Sequence, residues 1–143
     1  MCIVDCSNKT TRQINREIRR NIEASQTEIL LKHSGGRHNL AVAILDPVRI
    51  IIEESVGYYC AGLIDGPTVE IRGSAGWGLA EGMMRGTVTV DGNAGNGAAA
   101  AIRGGTVVVR GDAAARAGIS MKGGRLIIQG NAGYMSGFMA QKG

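Results

Sequence analysis

Val69-Glu-Ile-Arg-Gly73, Val88-Thr-Val-Asp-Gly92, Val107-Val-Val-Arg-Gly111 and Leu126-Ile-Ile-Gln-Gly130 are one phrase written four times, each copy 19 residues after the last. The copies close on Gly86, Gly105, Gly124 and Gly143. Between these points the seventh position holds Ala75, Ala94, Ala113 and Ala132, the eighth Gly76, Gly95, Ala114 and Gly133, and the fifteenth Met83, Ile102, Met121 and Ala140. A fixed period of this length marks a solenoid, in which each repeat is one rung and buries its apolar face only against its neighbours.

The columns have a physical reading. The first and third residues of each copy, from Val69 and Ile71 to Leu126 and Ile128, are apolar, while Glu70, Arg72, Thr89 and Asp91 alternate with them. That is a strand with one face inward, and stacked rungs place like residues about 4.8 Å apart. The column Met83, Ile102 and Met121 then fills the coil. Gly73, Gly76, Gly86, Gly92, Gly95, Gly105, Gly111, Gly124, Gly130 and Gly133 are the predicted structural positions, at corners where a side chain collides or a positive φ is needed. Ser74, Asn93, Asp112 and Asn131, after the first glycine column, suit those corners because short polar side chains bond nearby backbone.

Working outward, the stretch 50–68 fits as a degenerate rung: Gly57 and Ile64 keep their columns, but Glu54 replaces the first glycine. A still earlier copy near Leu31 aligns only loosely. Residues 1–6 read as a short strand, and Ser7 or Asn8 is the expected cap of a helix from about Thr10 to Ala24, whose stripe is Ile14, Ile18 and Ile22. Ser34-Gly35-Gly36 is a turn, and the apolar run Ala41–Leu45 ends at Asp46-Pro47. The expected class is all-β, a single-stranded β-helix (β-solenoid) with 19-residue rungs over residues 49–143, after a strand, helix and lead-in over 1–48.

Of the 143 residues, 44% are hydrophobic and 23 are glycine but only 3% are aromatic, so the core is built of aliphatic side chains packed close to backbone. The net charge of +4 is mild and N-terminal: residues 1–49 carry 8 basic against 5 acidic side chains. Arg12, Arg16, Arg19 and Arg20 gather with Lys9 but without stacking aromatics, which favours a solvated or partner-facing helix over nucleic-acid binding. Cys2, Cys6 and Cys60 make no disulfide framework, and no signal peptide or membrane span is apparent, so the cytoplasm is expected.

Chemistry-like signals dissolve into the repeat. Gly95-Asn-Gly97-Ala-Ala-Ala100 mimics a dinucleotide fingerprint, yet no helix or crossover follows it. His33 and His38 lack a nucleophile at motif spacing, and with Cys2 and Cys6 they make a weak metal set; Cys60 reads as a buried small hydrophobe. Catalytic, metal and cofactor-binding residues are therefore expected to be none. One outward column runs Glu70, Thr89, Val108, Ile127, and Ile119, Phe138 and Met139 are also late additions, so the coil becomes more apolar toward its last rungs. Further rungs or a partner are expected to cover that end.

The segments Gly35-Gly-Arg-His-Asn-Leu-Ala-Val-Ala, Val56-Gly-Tyr-Tyr-Cys-Ala-Gly, Gly76-Trp-Gly-Leu-Ala-Glu-Gly-Met-Met and Gly118-Ile-Ser-Met-Lys-Gly resemble the GXGXG family over nearly the whole chain. That family includes the C-terminal domain of the glutamate synthase large subunit and stand-alone forms such as the middle subunit of N-methylglutamate synthase, to which the likeness is greatest. The resemblance implies a right-handed β-helix that serves as a non-catalytic subunit of a hetero-oligomer. It implies an amidotransferase-like partner and an FMN-binding, iron–sulfur synthase partner, so that FMN and the cluster sit on a partner and not on this chain. No nucleic acid or membrane is expected. The alternative is the related β-helix subunit of a formylmethanofuran dehydrogenase, beside a metal-dependent redox core; the N-terminal helix and the Gly-Gly-Arg-His segment favour the first.

Overall fold

The computed structural model describes residues 1–143 and contains β1 (Cys2–Asp5), α1 (Thr11–Glu23), β2 (Glu28–Lys32), β3 (Arg49–Ile52), β4 (Asp65–Ile71), β5 (Arg85–Val90), β6 (Thr106–Val109) and β7 (Arg125–Ile128). All seven strands lie in one sheet in chain order, and every neighbouring pair is parallel. Parallel neighbours need a full turn of chain between them, so sequential parallel pairing makes a solenoid. The register Ile50↔Val69↔Val88↔Val107↔Leu126 keeps the 19-residue offset. Upstream, Ile29 pairs with Ile50 and Cys2 with Ile29, so two longer rungs precede residue 49. The loosely aligned copy near Leu31 is one of them, and α1 is inserted in the other.

Alternation decides this sheet. Val69, Ile71, Val88, Val90, Val107 and Val109 are fully buried, and Ile64, Met83 and Ile102 pack inside with them. Outward residues such as Thr89 are half-exposed. The outward column is apolar at both ends and polar only in the middle, because Leu30 and Ile51 precede Glu70 and are themselves buried. Arg49 reaches across β3 to Glu28 and Glu70, both at 2.9 Å.

At the next corner the rungs touch through single bridges, Val56↔Ala75↔Ala94↔Ala113↔Ala132. The short polar side chains beside them do what their column suggests. Ser74 N–H donates to Ser55 Oγ at 2.9 Å, Asn93 N–H to Ser74 Oγ at 3.0 Å, Asp112 N–H to Asn93 Oδ1 at 2.8 Å and Asn131 N–H to Asp112 Oδ1 at 2.8 Å. The glycines divide by cause. Gly111 has no left-handed φ, but a Cβ there would stand 2.8 Å from Gly92 O, so the close approach of rungs excludes a side chain. Gly105, by contrast, adopts φ +84, which favours glycine on conformational grounds as well.

The third side of the coil is not a β-structure. Every second residue of each segment there is left-handed: Asn39, Ala41 and Ala43; Tyr59, Ala61 and Leu63; Gly78, Ala80 and Gly82; Gly97, Ala99 and Ala101; Arg116, Gly118 and Ser120. Backbone N–H groups consequently point alternately forward and back. Tyr59 and Leu63 donate to Trp77 O and Glu81 O at 2.7 and 2.8 Å in the following rung, whereas Ala61 donates to Leu40 O at 2.9 Å in the preceding one.

Helix α1 closes this third side. Its N-cap is Thr10 and not Ser7 or Asn8, because Thr10 and Gln13 form a capping box at 2.8 and 3.2 Å while Asn8 turns the chain at φ 59. Ile14 and Ile18 enter the core. On an adjacent stripe Thr11 Oγ1 donates to His38 O (3.1 Å), Asn15 Oδ1 accepts from Ala41 N–H (2.9 Å) and Arg19 donates to Val42 O (3.1 Å). In every later rung the equivalent groups are satisfied by the rung before, so side chains spaced four residues apart stand in for a missing rung.

Candidate functional site

The cysteines and histidines singled out by the sequence are held apart or sealed. Cys60 is wholly buried, and burial pushes its thiol up to about 12, which leaves no thiolate to act as a nucleophile. Cys6 is buried near Arg37, and desolvation raises its thiol against the pull of that guanidinium. His33 Nδ1 lies 3.0 Å from Asp5 Oδ1, and His38 Nδ1 accepts from Tyr58 N–H at 2.7 Å, which assigns its ring proton to Nε2. Both histidines thus bind structural partners. Cys2, Cys6, His33 and His38 do not converge into a group of metal ligands. The predicted glycine positions stand at the corners, away from any cavity with converging polar groups.

What the surface offers instead is exposed apolar area on the left-handed side. Residues there project outward whenever the inner, middle position of the triplet is a buried alanine: Ala41, Ala61, Ala80 and Ala99 are all fully buried. Their neighbours carry the exposed side chains, including Tyr58, Tyr59, Leu63 and Trp77. His38, Tyr58 and Trp77 stack on successive rungs with ring centroids 4.6 and 5.2 Å apart. Beside them a groove of about 450 Å³ runs between Val42, Tyr59, Leu63, Glu81 and Ala101. A second concavity of about 830 Å³ lies along α1, lined by Arg12, Arg16, Arg19, Arg20 and other polar side chains with no apolar residue.

Sequence reasoning missed the third side altogether. Its periodic signals were the aromatic offset of 19 residues between Tyr58 and Trp77 and the alanine column Ala61, Ala80 and Ala99, neither of which reveals a left-handed backbone. The closing role of Thr11, Asn15 and Arg19 was equally hidden, since their partners lie 23 to 27 residues away and are backbone atoms.

Fold and surface together define a parallel β-solenoid with a helix-closed side and an exposed apolar and basic exterior. The chain is similar to Protein GlxC of Rhizobium meliloti (strain 1021), with 44% identity over 83 residues, 57% of this chain and 36% of that protein. The matched stretch is thus about a third of the relative's length. No family model matches the chain. No solved structure matches it either. No helix is long and apolar enough to cross a membrane.

Proposed function

We propose that the chain is a non-catalytic β-helix subunit of a glutamate-synthase-like complex of the N-methylglutamate synthase type, holding an amidotransferase-like subunit and an FMN and iron–sulfur synthase subunit together. The observation that carries this reading is the inversion of the surface. Cys60 is sealed in the core, while Tyr58, Tyr59, Leu63 and Trp77 stand exposed on a rod whose backbone is tied rung to rung. A rigid exterior of that kind suits positioning other proteins, because exposed aromatic residues anchor interfaces. The likeness to GlxC over 83 residues supports the coarse part of the reading, a glutamate-synthase-related subunit.

The test is co-expression with the proteins encoded by neighbouring reading frames, followed by size-exclusion chromatography and mass spectrometry. The chain is expected to travel with a flavin-absorbing synthase subunit and an amidotransferase-like subunit. Elution as a free monomer in the presence of both would overturn the proposal.

A further inference from the structure

We infer that the Arg12, Arg16 and Arg20 stripe of α1 is a docking surface for an acidic patch on a partner protein. The helix's other faces are already committed. Ile14 and Ile18 enter the core, Thr11, Asn15 and Arg19 close the third side of the coil, and Glu17 is held by Lys9 at 2.7 Å. Arg12, Arg16 and Arg20 remain, exposed and spaced four residues apart, and none of them takes part in an ion pair.

This arrangement works against the isolated chain. Like charges four residues apart on a helix repel, and the first turn carries no acidic side chain to complement the helix dipole. A carboxylate-bearing surface reverses the sign of those terms. Arginine at all three positions further favours planar, forked pairing with carboxylates over diffuse attraction. The stripe extends for about 12 Å along the helix axis, the length of two turns, and so fits two or three carboxylates in a row.

A polynucleotide is the competing anion, and it is less well served. Sequence-tolerant nucleic-acid binding combines charge with ring faces open for stacking. No aromatic ring lines the arginine concavity along α1.

The inference rests on the assembly reading above and assigns the acidic patch to one of the two partner subunits. Co-expression is repeated with R12A/R16A/R20A, which leaves Arg19 and the closing contacts intact; circular dichroism and thermal unfolding confirm the fold. One partner is expected to bind at least tenfold more weakly, with a shallower dependence on salt than for the unsubstituted chain. Unchanged affinity and salt dependence would overturn the inference while leaving the assembly reading in place. Poly-glutamate and a single-stranded oligonucleotide of equal length, titrated against the free chain, separate the two failures. The stripe stands if poly-glutamate binds more tightly and the triple variant loses it; it falls if the oligonucleotide binds more tightly or neither binds, whatever becomes of the assembly.

Discussion

Along the long sheet the rungs are joined by parallel-strand pairs such as Val69 with Val88, whereas along the third side they are joined by N–H groups that point forward and back from alternately left-handed residues. Both sides repeat every 19 residues, yet they constrain their side chains differently. The sheet demands β-branched or aliphatic residues at each inward position. The left-handed side buries an apolar residue just ahead of each middle alanine, as at Leu40, Cys60, Leu79 and Ala98, and keeps the middle residue small, but its outer left-handed positions accept Tyr59, Leu63, Arg116 and Met135 at similar φ. That freedom explains why exposed aromatic and aliphatic side chains gather there. The outer left-handed positions are where side-chain type is free to vary.

The comparison breaks most severely if the rungs cannot approach. Gly111→Val should destabilise the protein by about 3 kcal/mol, through overpacking against Gly92 O and the Asn93 side chain. Equilibrium unfolding in urea measures it, and a loss below about 1 kcal/mol would mean that the corner relaxes and the stacking is looser than described. Asn15→Leu is expected to cost about 2 kcal/mol, because the buried Ala41 N–H and the Asn39 carbonyl lose their partner. Leucine is the better helix former, so any loss belongs to the closed side of the coil and not to α1 itself. Asn15→Asp keeps the acceptor and should fall between the two.

How much of this could be read from the chain depends on which atoms carry the signal. The sheet register and the inward columns were readable because side-chain type reports burial, and Val69, Val88 and Val107 repeat it without error. The polar column from Ser74 to Asn131 was readable for another reason, that short polar side chains recur beside a corner glycine. The two earliest rungs blurred because their spacing departs from 19 residues, which hides Ile29 and Cys2 from a fixed-period reading. The left-handed side stayed invisible because ordinary residues occupy it: alanine at φ 57 in Ala80 and Ala99 looks like alanine anywhere. Its cost is met by contacts between rungs, which no local pattern encodes. The arginine stripe was legible only in part, since the arginines of α1 were apparent but the faces left free emerge only from what Thr11, Asn15 and Ile14 touch.

A single type of substitution should change sign between the two sides. Thr89→Gly, in mid-strand on β5, removes side-chain packing and adds unfolded-state freedom, so a loss of about 1 kcal/mol is expected. Ala101→Gly acts on a half-exposed residue at φ 56, where relief of left-handed strain opposes the same entropy term. It should be neutral or stabilising by up to about 1 kcal/mol. Equal losses at both sites in thermal unfolding would show that the third side carries no backbone strain, and the contrast between the two sides would fail.

The smallest expected effect tests how the sheet side begins. There Arg37 donates to Cys6 O at 2.7 Å and to Lys9 O at 3.0 Å, and Asp5 is a further tie of the first rung: its carboxylate accepts from Ser7 N–H at 2.9 Å and faces His33 Nδ1 at 3.0 Å. Those contacts, the Ser7 N–H first, hold the carboxyl well below the usual carboxylate range. A group whose value is depressed by folding stabilises the fold fully above its unfolded value, about pH 4, and loses that contribution as pH falls toward the folded value. The carboxylate is exposed, so solvent screening keeps the effect small. Asp5→Asn should therefore unfold slightly more easily than the unsubstituted protein near pH 6, with the gap narrowing below about pH 4. A gap that stays constant from pH 6 to pH 3 would locate the loss in packing, and the Asp5 charge would then play no part in holding the first rung.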